Sequence, residues 1–214
     1  MENGNGKGIF YGVIGVATLV VAIIGATFAY FSATASNADT IKGTAATAGL
    51  DLAVRKVSTD AAAGLIPMND TDVAKGLAGD SATHNKMCVD KNGNTVCQVY
   101  EIKVTNKGTS SAVVKGDVTI TGESFANLKW QLLTGTSDNA LSTTTTYNPI
   151  STTSLVASQQ LAVASQSGDS ATYYIMVWIS NLVSDQSNVD KGNFSGVVTF
   201  NSADGAGVSA TFSS

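Results

Sequence analysis

The run Tyr173 to Ile179 (YYIMVWI) is apolar at almost every position. A stretch this short and this continuous reads as a strand covered on both faces, the kind found in the middle of a sandwich. Other segments alternate instead. Val99 to Thr105 puts Tyr100, Ile102 and Val104 on one face and Glu101, Lys103 and Thr105 on the other. Val118 to Thr121 alternates in the same way, and Leu128 to Leu132 directs Leu128, Trp130 and Leu132 inward. Phe194 to Phe200 (FSGVVTF) is β-branched and aromatic, again a strand. Turn-forming clusters such as Asn106-Lys107-Gly108-Thr109 and Ser167-Gly168-Asp169-Ser170 punctuate these runs. Within residues 31–214 the helical candidate is short, Asp70 to Leu77. The pattern predicts an all-β chain: an antiparallel, jelly-roll-like β-sandwich.

Composition narrows the function. Of the 214 residues 43% are hydrophobic and only 13% charged, with a net charge of -4. An ordinary domain is about a quarter charged. The negative balance argues against nucleic acid as a partner. Two Cys and one His exclude a cysteine-rich scaffold and disfavour metal clusters and His-based catalysis.

The apolar residues are unevenly placed. No charge occurs between Lys7 and Asp39, and Ile9 to Phe31 is interrupted only by Gly, Thr and Tyr. That is long enough to span a bilayer, which needs about 20 residues. The expectation is an N-terminal signal helix over residues 1–30, removed on export, with membrane contact only through residues 9–30 before processing. The mature chain, 31–214, then forms one domain. The alternative is a pilin-like subunit that keeps its helix. Lys7-Gly8 before an apolar run is superficially like a prepilin processing site, but Val13 stands where a mature type IV pilin has Glu.

The segment Gly25-Ala26-Thr27-Phe28-Ala29-Tyr30-Phe31-Ser32 resembles the export signal cut by a SipW-type signal peptidase. Ile41-Lys42-Gly43-Thr44 and Ala48-Gly49-Leu50-Asp51-Leu52 are similar to the start of mature TasA and camelysin-type fibre subunits, with an insertion between the Gly-Thr and the Leu-Asp-Leu. The resemblance implies cleavage between Tyr30 and Phe31, secretion to the cell surface or medium, and polymerisation of the chain with copies of itself into fibres of a biofilm matrix or pilus. It also implies that Phe-x-Gly-x-Val at Phe194 to Val198 is a feature of the fold. Camelysin-type relatives bring in protease activity, yet the chain has no zinc-ligand motif and His84 has no second His. The expectation is a structural protein, not an enzyme, with no cofactor. An adhesion module is compatible with the same reading.

Three further expectations concern particular residues. Cys88 and Cys97 flank Asn92-Gly93, a strong hairpin signal, and are expected to face each other across two strands as a disulfide stapling an exposed hairpin. Asp185, Asn188 and Asp190 offer oxygens to Ca²⁺, though such a segment is more often a turn. Residues 31–49 are extended in character, with no partner strand evident. Freed by cleavage, Phe31, Ala33, Ala35 and Ile41 would supply alternate side chains to the sheet edge of a neighbouring subunit. The competing reading makes this segment the first strand of its own sandwich.

Overall fold

The computed structural model describes residues 41–43, 49–58, 65–79, 86–122, 127–144, 148–149, 152–181, 194–205 and 207–214. The apolar segment of residues 9–30, the cleavage position Tyr30/Phe31, the donor positions Phe31, Ala33 and Ala35, His84, and Asp185, Asn188 and Asp190 all lie outside them. Among the described residues no helix is long and apolar enough to cross a membrane.

Among the described residues ten strands follow in chain order: β1 (Ile41–Gly43), β2 (Leu50–Lys56), β3 (Gln98–Asn106), β4 (Ala112–Gly122), β5 (Leu128–Leu133), β6 (Asn148–Pro149), β7 (Thr152–Leu161), β8 (Ser170–Ile179), β9 (Phe194–Ser202) and β10 (Gly207–Ser213). They form two antiparallel sheets. The wider has the order β1-β2-β3-β8-β5-β6 and the narrower β10-β9-β4-β7. The chain passes between sheets at β3–β4, β4–β5, β6–β7, β7–β8 and β8–β9, the interleaving that a jelly-roll-like sandwich calls for. Asp70 to Leu77 is helical as expected: a 3₁₀ turn over Asp70–Asp72 runs into helix α1, Val73–Ala78.

The alternating strands face as their sequences require. Tyr100, Ile102 and Val104 of β3 enter the core between the sheets, with Val118 and Ile120 of β4. Leu128 and Trp130 of β5 do the same, while Leu132 packs against this core half-buried. β8 lies between β3 and β5 and is covered on both faces. Ile175, Val177 and Ile179 point into the sandwich. Tyr174, Met176 and Trp178 point the other way, into a second core with Met68, Val73, Leu77, Val96 and Val99. Residues 65–79 and 86–97 thus form a covering layer over the outer face of the wider sheet. This explains why seven consecutive positions of β8 are apolar: one set of side chains serves each core.

Two glycines register the narrower sheet. Gly196 of β9 stands opposite Phe212 of β10, and Gly116 of β4 opposite Phe200 of β9. A Cβ on Gly116 would come within 2.6 Å of the Phe200 ring, and one on Gly196 would overlap the Phe212 ring. Each missing side chain is the space its neighbour's ring occupies. That is the physical content of the Phe-x-Gly-x-Val pattern.

The disulfide forms, but its setting differs from the expectation in two ways. Cys88 and Cys97 are bonded, with Cα atoms 4.9 Å apart. Both are fully buried in the second core, not displayed on an exposed hairpin. The hairpin is also wider than a two-residue Asn92-Gly93 turn. Val89 bridges Thr95, Val96 N donates to Cys88 O at 2.9 Å, and Asp90 N donates to Asn94 O at 3.0 Å. Cys88 therefore stands opposite Val96, one residue out of the expected register. The cause is Asp90, whose Oδ1 accepts the backbone N–H of Asn92 at 2.9 Å and of Asn94 at 2.8 Å. A carboxylate capping the loop from within wins over the tighter turn. Cys88 takes a positive φ of 65°, which accommodates the shift.

Candidate assembly surface

The charged residues of the sandwich are segregated. In β2 and β3 lie Asp51, Arg55, Lys56, Glu101 and Lys103, and in β5 Lys129. Across β4, β7, β9 and β10 the only charged residues are Lys115 and Asp117. These two lie on one face of β4 and pair at 3.3 Å. The narrower sheet is electrically neutral, with its one ion pair closed on itself. Beside that pair, its outward side chains include hydroxyls and two exposed valines: Ser209 and Thr211 of β10, Ser195, Val197 and Thr199 of β9, Val113 and Thr121 of β4.

The outer face of the wider sheet is occupied. Arg55 of β2 stands opposite Glu101 of β3, which stands opposite Tyr174 of β8. The Arg55 guanidinium donates to Glu101 at 2.7 Å and to Asp138 at 2.9 Å. The Tyr174 hydroxyl donates to Glu101 at 3.1 Å. Burial, together with the acidic neighbours Asp138 and Glu101, pushes the Tyr174 phenol upward, so it remains a donor. The hydrogen bonds of Glu101 and Asp138 hold the Arg55 cation in its charged form. Below this row Asp70 accepts from Trp178 Nε1 at 3.0 Å and pairs with Lys129. Burial raises the Asp70 carboxyl, but these donors outweigh it and the net shift is downward. Asp90 is likewise held low, its burial outweighed by the N–H groups of Asn94, Asn92 and Gly93. These groups are mutually satisfied and tie the covering layer down. No three His, Cys, Asp or Glu side chains converge on a metal-sized site among the described residues.

The edges differ too. β1, which ends the wider sheet, pairs antiparallel with β2: Ile41 opposes Val54, Lys42 opposes Ala53 and Gly43 opposes Leu52. Ile41, expected within a donor strand, thus pairs inside its own chain. β6, at the other edge, has two residues and ends in Pro149. The narrower sheet ends in β10 and in the ten-residue β7 (TTSLVASQQL), which has neither a charge nor a proline. Charge and proline are the usual guards of a free edge.

A groove of about 780 Å³ opens at one end of the sandwich, lined by Gly49, Asn106, Gly108, Ser111, Ser202 and Asp204 among others. Asn106 is buried and fully used. Its Nδ2 donates to Ser110 O at 2.7 Å and Ala162 O at 2.8 Å, and its Oδ1 accepts from Gly108 N at 2.8 Å. It therefore braces the loop and offers nothing to a ligand. Tyr174, Trp178 and Phe200 are core residues, and Tyr173 stacks on Phe200 at 5.9 Å.

No family model matches the chain, and no curated protein does. Among solved structures it is similar to a FixG-related protein from Vibrio parahaemolyticus, at 8% identity and a TM-score of 0.33, over 77% of this chain and 93% of that one. It is also similar to Spo0M, a sporulation control protein from Bacillus subtilis, at 12% identity and a TM-score of 0.30, over 55% of this chain and 41% of that one. Likenesses this distant carry no argument about function.

Proposed function

We propose that the chain is an exported structural subunit that polymerises, through β-strand addition between copies of itself, into an extracellular fibre of the TasA/camelysin type. The single observation that carries this reading is the neutral narrower sheet, whose two edge strands have neither charge nor proline. Charged residues on an edge strand are one of the devices that keep a sheet from pairing with another. Neutral strands also cost less to desolvate between subunits than charged ones. The buried Cys88–Cys97 disulfide is compatible with export into an oxidising compartment. In this reading a SipW-type peptidase frees Phe31, the partners are further copies of the chain, and no catalytic step or cofactor is involved.

The test has two parts. N-terminal sequencing of the exported protein is expected to begin at Phe31; a start at Ile9 favours the retained, pilin-like helix. Electron microscopy and sedimentation of that material are expected to show filaments. A strictly monomeric exported protein refutes the reading.

A further inference from the structure

Asn92-Gly93 is the one Asn-Gly pair within residues 31–214. Asn92 is exposed, in the loop between Val89 and Thr95, and the Cys88–Cys97 disulfide ties the ends of that loop together. An Asn before Gly carries chemistry of its own. Gly93 has no Cβ to obstruct the approach of its amide nitrogen to the side-chain carbonyl carbon of Asn92, Cγ. The nitrogen forms a bond to Cγ, and its proton leaves with the side-chain nitrogen as ammonia, which closes a succinimide ring. Water then opens the ring at either carbonyl. The product is an aspartyl residue or, with the chain rerouted through the side chain, an isoaspartyl residue. Either one carries a carboxylate where a neutral amide stood, and water is the sole co-reactant.

The closed loop obstructs that step twice. Gly93 N donates to the Asp90 backbone carbonyl at 3.0 Å, so the attacking nitrogen is held, proton and all, toward Asp90. The Asp90 side chain fixes the backbone on both sides of Gly93: Oδ1 accepts the N–H groups of Asn92 at 2.9 Å and Asn94 at 2.8 Å, and Oδ2 accepts from Asn94 Nδ2 at 3.1 Å. Burial raises the Asp90 carboxyl, but the N–H groups of Asn94, Asn92 and Gly93 outweigh it and keep the group ionised. An anion at this place disfavours the negative charge that develops on the Gly93 nitrogen as its proton leaves.

We propose that Asn92 is a deamidation site kept latent by the Asp90 cap, so that the modification proceeds through local opening of the loop and not from its closed form. Opening of this kind is a sub-global fluctuation and costs less than unfolding the sandwich. The modification is one-way. An isoaspartyl linkage adds a methylene to the backbone in the middle of the N–H groups that converge on Asp90, and it brings a second carboxylate into the same loop. The cap does not re-form as it was. Val89, Val96 and both cysteines, which flank the loop, are buried in the covering layer. A loop that has lost its cap therefore loosens the layer where it shields the disulfide.

The experiment ages the oxidised protein at neutral pH and follows position 92 by peptide mass mapping and isoaspartyl-specific methylation. The same chain unfolded in guanidinium, disulfide intact, gives the unprotected rate. Deamidation at Asn92 is expected to be at least roughly tenfold slower in the folded chain than in the unfolded one, and Asp90→Ala to recover most of that factor. Asn92→Gln, whose longer side chain must close a larger ring, is expected to abolish the signal and so assigns it. The deamidated fraction, separated by its added charge, is expected to have its Cys88–Cys97 bond reduced faster than the unmodified fraction. A folded wild type that deamidates at Asn92 as fast as the unfolded chain overturns the proposal. So does an Asp90→Ala protein that is folded and as slow as wild type. Hydrogen exchange of the Gly93 N–H in wild type tests the cap without any substitution: protection that falls in step with rising deamidation in sub-denaturing urea is expected, and an unprotected Gly93 amide overturns the proposal. Equal reduction of the two fractions overturns the link to the disulfide.

Discussion

Trp178 Nε1 donates to Asp70 Oδ1 at 3.0 Å, across 108 residues of sequence, and so fastens the start of the helical turn to the central strand β8. Lys129 of β5 pairs with the other carboxylate oxygen. Removing the carboxylate takes a charged partner from a buried indole N–H and a half-buried ammonium together. Asp70→Ala is expected to destabilise the fold by about 2–4 kcal/mol, and Asp70→Asn by less, measured as the shift in urea midpoint at constant slope. A midpoint unchanged in Asp70→Ala contradicts this role.

The same carboxylate predicts an acid limb. Asp70 and Asp90 are both held below the ordinary carboxylate value in the folded state. The unfolded chain therefore binds protons first as pH falls. The stability these groups contribute is fully present above about pH 4, the usual carboxylate pKa, and is lost as pH drops through their lower folded values. Urea titrations from pH 7 to pH 2 should show a plateau and then a decline below about pH 4, shallower in Asp70→Asn than in wild type.

The disulfide closes a short loop, so its entropic contribution is about 2–3 kcal/mol. Its burial adds a kinetic expectation. Both sulfurs are shielded by the second core, so reductant reaches them only when the covering layer opens. Reduction in native buffer should be slow and should accelerate steeply in sub-denaturing urea. Rapid reduction without denaturant argues that the layer is loose.

Gly196 is expected to reject even a methyl group. Gly196→Ala drives a Cβ into the Phe212 ring, which is itself buried. The cost is about 1–3 kcal/mol. Gly196→Ala combined with Phe212→Leu should cost less than the sum of the two single changes, because the smaller side chain vacates the space. Additive losses in thermal melts of the four proteins count against the contact.

Asn106 offers a polar counterpart. Its three hydrogen bonds tie β3 to the loop before β4 and to the end of β7. Asn106→Ala leaves two backbone carbonyls and one N–H to fend for themselves at the sandwich end, and about 2–3 kcal/mol should be lost. Asn106→Asp keeps the bond to Gly108 but sets a carboxylate oxygen against the two carbonyls, and should cost at least as much as Asn106→Ala.

The segments read most easily in the sequence are those where one physical requirement dominates. β3 alternates because its two faces differ, and β8 is continuously apolar because they do not. β9 was legible from its β-branched and aromatic content. β7 is not among the strands that the pattern predicts, and its bulges explain why: Leu155 and Val156 are adjacent yet both pack toward the core, which erases the period of two. The covering layer is equally hidden, because its apolar residues, among them Met68, Val73, Leu77 and Cys88, are spaced irregularly along a loop-rich stretch. The disulfide pairing was legible but its register was not, since a side-chain cap from Asp90 decides the turn. As for the candidate surface, low overall charge was visible at once, whereas its confinement to one sheet emerges only from the topology.

The neutrality of the narrower sheet sets the response of any contact made through it to ionic strength. Salt screens interactions between charges over about 10 Å at 0.1 M, but here Lys115 and Asp117 already cancel each other and no other ionised group lies on the four strands. Contacts along those strands would therefore hold nearly as well in brine as in dilute buffer. They would also be strengthened by excluded salts such as sulfate, which favour burial.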